Sequence, residues 1–313
     1  MIDPVIFSFT IFGVEFALRW YGVLVMTGAL VGAWYAAQEL KRHGEDDEHL
    51  WDAIILLLPI GIVGARLWYV ANATLGGSTY YTQNPGQILN IPQGGLHFYG
   101  GLLFGLLTLW WYANRHKLDM WLLLDALAPA TLLGQAIARP ANFINQELYG
   151  QPTTLPWGIS IDASHRIKEY SDMSLFPEST RFHPAFAYEM IWNFLAVGFI
   201  YWFIRRFPKK AKPGTALALW LILAGIGRFI IEAFRPDQPR IPGTDLSFTR
   251  VVAALMALVG LVMYLIRNKT IKLAFAENWR EEYKLAPPRA EREAEKKMSV
   301  QEKRRQRKKQ AKK

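Results

Sequence analysis

Between Arg139 and Gly150 the chain reads Arg-Pro-Ala-Asn-Phe-Ile-Asn-Gln-Glu-Leu-Tyr-Gly, starting where a long apolar segment ends. The stretch sets Arg139, Asn142, Asn145, Glu147 and the closing Gly150 at that edge. A cation, amides and a carboxylate are costly near lipid, so they need a functional or strong structural reason. A guanidinium fork matches phosphate oxygens. Pro140 disfavours an undistorted continuation of the helix, so the residues after it are expected to turn and line a cavity. The pattern points to a site that holds a lipid headgroup for chemistry.

Other ionisable groups sit in or at the rims of apolar stretches. Arg19-Trp20-Tyr21-Gly22 opens the first, where interfacial anchoring and a site role for Tyr21 are both open. Gly64-Ala65-Arg66 lies within the second, and a charge that deep is expected to line a site. The small residues beside it allow close helix contact. His97-Phe98-Tyr99-Gly100-Gly101 opens the third. His97 reads either as a satisfied structural histidine or as a base. His183-Pro184 precedes the fifth, with Tyr188 and Glu189 a turn further on. Glu189 needs a partner, expected to be an arginine from another span. Arg228 and Glu232 are spaced i, i+4, so they share a helix face near one rim of the sixth.

The elements that must position these groups are membrane helices. Seven stretches approach the roughly 20 apolar residues needed to cross a bilayer: 17–40, 51–71, 96–113, 120–138, 184–204, 214–234 and 248–266. The expected fold is an all-α, polytopic integral membrane protein. Composition is 51% hydrophobic with 12 tryptophans, and the modest mean hydropathy of +0.08 reflects dilution by polar loops and a charged end. No cleavable leader is expected, because no short apolar run ends in a small-residue cleavage site. There are no cysteines, so disulfides, thiolate nucleophiles and cysteine-bound metals are excluded, and any reacting thiol must come from a substrate.

Charge sets the expected orientation. Lys41, Arg42, Arg115, Lys117, Arg205, Arg206, Lys209, Lys210, Lys212, Arg267 and Lys269 fall in alternate connections, whereas residues 72–95 carry no Lys or Arg. Positive-inside bias puts the N-terminus outside and the C-terminus in the cytoplasm. Residues 141–183 mix apolar and polar residues and are expected to form a small outer, periplasmic-side head within a membrane domain of residues 1–270. Residues 271–313 form a basic cytoplasmic tail, partly disordered from about Ala286 and suited to anionic lipid. The net charge of +10 is concentrated in loops and tail, so the expected partner is a bilayer surface and no nucleic acid is expected.

Taken together, these motifs resemble the bacterial prolipoprotein diacylglyceryl transferases. The family pattern Gly-Arg-x-x-Asn-Phe-x-Asn-x-Glu-x-x-Gly is met from Ala138 to Gly150, with Ala138 in place of the first glycine. The supporting matches are Arg19 to Gly22, Gly64 to Arg66, His183-Pro184 with Tyr188-Glu189, and Arg228 to Glu232. The resemblance covers roughly residues 10–270. Where the family has a histidine before the glycine pair of the third span, this chain has Tyr99, with His97 two residues earlier.

The resemblance implies transfer of the diacylglyceryl group of phosphatidylglycerol to the lipobox cysteine of a preprolipoprotein in the bacterial cell membrane. A thioether forms and glycerol phosphate leaves, with no metal or soluble cofactor implied. On this reading Arg139 and Arg228 clamp the phosphate, where developing negative charge is best met by fixed cations. Asn142 and Asn145 donate to glycerol or phosphate oxygens, and Glu147 and Glu232 orient the arginines. Tyr21, Tyr99 or His97 sits near the thiol, while Arg66, Gly150, His183, Tyr188 and Glu189 complete the lipid site. Two other classes compete: a transporter for an anionic solute using Arg66, Arg139 and Arg228, and a non-catalytic lipid-binding protein.

Overall fold

In the computed structural model, described for residues 2–11, 14–91, 94–235, 238, 240–244, 246–276 and 279–285, the chain is mostly helical. The basic tail from Ala286 onward and Asp237 lie outside the described residues. A hairpin of β1 (Val5–Ile11) and β2 (Val14–Arg19) leads into α1 (Trp20–Arg42). Then come α2 (Glu48–Leu75), the short α3 (Tyr80–Gln83), α4 (Phe98–His116), α5 (Met120–Ala138) and the single turn α6 (Pro140–Ile144). A segment bearing β3 (Ile159–Ser160) and β4 (Arg181–Phe182) precedes α7 (Ala185–Arg206), α8 (Thr215–Ile231) and α9 (Phe248–Arg267).

All seven expected stretches are helical, and six are long and apolar enough to cross a membrane. The exception is α4, whose 19 residues include three glycines, two tryptophans and the polar end Asn114-Arg115-His116. Their outward side chains are apolar, as Leu30, Trp34, Ile55, Leu195 and Val252 illustrate, each more than half exposed. The chain is therefore a polytopic membrane protein. Strands qualify the all-α expectation. Residues 17–19 are extended, because Phe16 and Leu18 pair with Phe9 and Phe7 across the hairpin and stack its aromatic rings.

The chain packs as two compact units, residues 1–36 with 124–282 and residues 37–123 with 283–313. In the first, α1 and α5 approach through glycine: a Cβ on Gly28 would collide with the Gly134 carbonyl oxygen. Leu132 of α5, Ala196, Val197 and Ile200 of α7, and Ala216 and Leu219 of α8 form one buried cluster. Inside a bilayer such packing is held by van der Waals contact, since lipid is as apolar as the core. Asp125 of α5 accepts the N–H groups of Gly214 at 2.5 Å and Leu217 at 2.8 Å. A carboxylate on one helix thus satisfies the open donors at the N-terminus of another. Within the expected head, Tyr149, Ile161 and Phe182 build a small core, and β3 pairs with β4.

In the second unit, α2 and α4 cross where Gly64 meets Phe104 and Gly100 meets the Gly64 carbonyl. Arg66 is only 3% exposed there. Its Nε donates to Ile88 O at 2.9 Å, its Nη2 to Gln87 O at 2.6 Å, and its Nη1 to Gly94 O at 2.6 Å and Gly95 O at 3.3 Å. The rings of Tyr69 and Tyr81 flank the guanidinium. Arg66, expected to bind lipid, pins a connection here. Irregular backbone at membrane depth must have its carbonyls satisfied, and one guanidinium meets four of them.

Candidate active site

Backbone geometry around Arg139 differs from the expected break. Arg139 keeps helical angles (φ −59°, ψ −33°), and Pro140 opens α6 rather than ending the helix. Proline is tolerated at a first helical position, where its missing N–H costs little. The chain turns only after Asn145, with Gln146 and Leu148 at φ 52° and 56°. Glu147, between them, keeps its N–H on Asn142 O at 2.9 Å.

Three helices bring the charged groups together. Arg139 Nη2 donates to Glu189 Oε1 of α7, and its Nη1 donates to Asn142 Oδ1 at 3.2 Å. From α8, Arg228 Nη1 lies 4.0 Å from Glu189 Oε2, and Nη2 lies 3.2 Å from Glu232 Oε2. Glu189 thus meets the expected need for an arginine from another span, and does so with two. The Glu232 side chain is 0% exposed. Ser247 Oγ donates to its other oxygen at 3.1 Å, while also capping α9 by accepting the Arg250 N–H. Each guanidinium has five N–H donors, so both retain donors for a further anion.

Glu147 departs from expectation. Its Oε1 accepts from Asn142 Nδ2 at 2.9 Å and Asn145 Nδ2 at 3.3 Å, so it orients the two asparagines rather than the arginines. Asn142 is 6% exposed and spans Arg139 and Glu147, so its first duty is to hold them in register. Beside these groups a cleft of about 240 Å³ is lined by Tyr21, Gln135, Arg139, Asn142, Glu147 and Leu148, among others. Tyr21 belongs there, delivered by the start of α1.

The remaining expected residues do structural work that can be named. Gly150 donates its N–H to His183 O at 2.7 Å, and a Cβ on it would come within 2.7 Å of Phe234 O. Expected as a lipid contact, Gly150 is needed for close backbone approach. His183 Nδ1 and Tyr188 Oη are 3.0 Å apart, and Trp157 Nε1 donates to Tyr188 Oη at 2.8 Å. Expected to bind lipid, His183 and Tyr188 tie the segment before α7 to that helix. Burial pushes the His183 imidazole below its ordinary range, because the charged ring loses water.

His97 and Tyr99 belong to the second unit. His97 is extended (φ −112°, ψ 124°) and caps α4, and its ring lies 5.4 Å from that of Tyr99. His97 Nδ1 is buried and has no hydrogen-bond partner among the described residues.

Sequence reasoning passed over Ser247, Gln135 and Asn193. Asn193, 4% exposed, donates to Gln135 Oε1 at 3.5 Å. The signal was available: Gln135 precedes Arg139, and Asn193 follows Glu189, by one helical turn each.

The family model described as prolipoprotein diacylglyceryl transferase matches residues 4–266. A protein of Chloroflexus aggregans is 40% identical over 243 residues, covering 75% of this chain and 78% of its own. One of Bacillus cereus is 34% identical over 254 residues, covering 81% and 89%. One of Leifsonia xyli is 36% identical over 227 residues, covering 71% and 66%. Each is named phosphatidylglycerol–prolipoprotein diacylglyceryl transferase. With one arginine from the junction of α5 and α6 and another from α8 gathered on one carboxylate, and the match running through nearly all the membrane helices, the chain belongs to the prolipoprotein diacylglyceryl transferase family.

Proposed function

We propose that the protein transfers the diacylglyceryl group of phosphatidylglycerol to the thiol of a lipobox cysteine in preprolipoproteins, releasing glycerol phosphate. The observation that carries this reading is Glu189 bridging Arg139 and Arg228 beside the cleft that Tyr21, Asn142 and Glu147 line. A phosphate entering that site meets two guanidiniums already oriented. As the carbon–oxygen bond breaks, charge grows on the phosphate, and preplaced cations lower the barrier. The phosphate takes N–H donors from Arg139 and Arg228 that their present partners leave over. Glu232, held by Ser247, keeps Arg228 in place meanwhile. The names carried by the relatives support both substrates.

The protein acts in the bacterial cytoplasmic membrane with its N-terminus and the 141–183 head outside and its C-terminus inside. The alternation of Lys- and Arg-rich connections supports this orientation.

The test uses the full chain in vesicles of labelled phosphatidylglycerol with a lipobox peptide bearing Cys or Ser. Label is expected on the Cys peptide alone. Arg139→Ala and Arg228→Ala should each lower transfer by about 10²–10³ while the protein stays folded. Solute flux with no labelled peptide would mean a transporter. Lipid bound and recovered unchanged would mean a binding protein.

A further inference from the structure

The transferase reading leaves the thiol's proton without an acceptor. A thiol near pKa 8.5 is only a few per cent ionised at neutral pH, so attack needs a base. Among the side chains lining the cleft, only one is a Brønsted base there. Gln135 and Asn142 are amides, Arg139 is a guanidinium, Tyr21 is a phenol, and the rest are apolar.

That base is Glu147, and the fold holds it closely. Two asparagine amides grip Oε1. Oε2 has no hydrogen-bond partner among the described residues, and Glu147 lines the cleft. Gln146 ends α6 in the left-handed conformation common past a helix terminus, but Leu148 at φ 56° has no helix to end. Such a backbone is unfavourable at a branched, bulky residue and persists where surroundings enforce it. Here Gln146 is locked to Asp162 by two bonds, Nε2 to Oδ2 at 2.6 Å and Asp162 N–H to Oε1 at 2.7 Å. The other carboxylates nearby are committed: Glu189 to Arg139 and Arg228, and Glu232 to Arg228 and Ser247.

We propose that Glu147 Oε2 is the proton acceptor for the acceptor-peptide thiol. The proposal rests on the transferase reading. The S–H proton passes to Oε2, and sulfur bonds to the glyceryl carbon as that carbon's bond to the phosphate oxygen breaks. The electron pair leaves with glycerol phosphate beside Arg139 and Arg228, and Glu147 returns its proton to the departing phosphate. Among the described residues, the charged or titratable groups lining the cleft with Glu147 are Tyr21 of α1 and Arg139, with Glu189 of α7 behind Arg139.

The test compares Glu147→Gln with the parent in phosphatidylglycerol vesicles. Glutamine keeps an acceptor for the two asparagines but takes no proton. Its kcat should fall about 10²–10³, within the usual range for a lost general base, with KM for phosphatidylglycerol near the parent's. The parent's rate should drop on the acid side as its carboxylate protonates, and that limb should vanish in Glu147→Gln. A selenocysteine peptide, already ionised at neutral pH, should restore the variant's rate toward the parent's. Parental kcat in the variant, or equal loss with Cys and selenocysteine peptides, overturns the proposal. If Glu147→Gln does not accumulate, Glu147→Asp decides: an acid limb retained at reduced rate supports the role, and its absence removes it. A parent that labels no Cys peptide sinks the transferase reading itself.

Discussion

Three arginines that look alike in the sequence are neutralised in different ways. Arg139 and Arg228 share a carboxylate, whereas Arg66 meets carbonyl oxygens and two tyrosine rings. The sequence shows that each charge needs compensation, because an uncompensated cation at membrane depth is costly. It does not show by what, since the compensating carbonyls of residues 87–95 carry no side-chain signature. The distinction has a measurable consequence. Lysine places three donors on one nitrogen and cannot span four carbonyls. Arg66→Lys should therefore destabilise the protein by about 1–3 kcal/mol, from carbonyls left unsatisfied. Thermal unfolding in detergent would show it, with KM for phosphatidylglycerol unchanged in the folded fraction. Unchanged stability together with a raised KM would return Arg66 to the lipid site.

At the scale of elements, the helices were legible because length and apolarity suffice to mark a membrane span. The hairpin of residues 5–19 was not, since its Val, Ile and Phe residues read equally well as the approach to a helix. Nor was the contact that ties α8 to α5. Asp125 lies in the middle of an apolar run, and nothing local says that it reaches the N-terminus of α8, 89 residues further along. That contact bears on the site, because Arg139 directly follows α5 and Arg228 lies in α8. Asp125→Ala strips the cap from Gly214 and Leu217. It should cost about 1–2 kcal/mol, the upper range for a lost N-cap. Hydrogen exchange should rise first in the opening turn of α8. Protection equal to the parent's there would mean that water or another group satisfies those donors.

For the whole molecule, the proposed orientation follows from loop charge and can be checked directly because the chain has no cysteine. Ser164→Cys, exposed in the 141–183 head, should react with an impermeant maleimide on intact spheroplasts. Lys209→Cys, exposed beyond α7, should react only after permeabilisation, and the reverse pattern would invert the topology. The sequence alone determined the class of protein, the helices and the motif residues, because these depend on composition, run length and local spacing. Tertiary structure decided which of those residues share a site. Arg139, Glu189 and Arg228 are far apart along the chain and meet only because small and apolar faces let α5, α7 and α8 pack together. Within each unit, packing likewise gave partners that local sequence does not announce, to Gly150, His183 and Tyr188 in the first and to Arg66 in the second, since a buried polar group is claimed by whichever partner the fold brings within hydrogen-bonding reach.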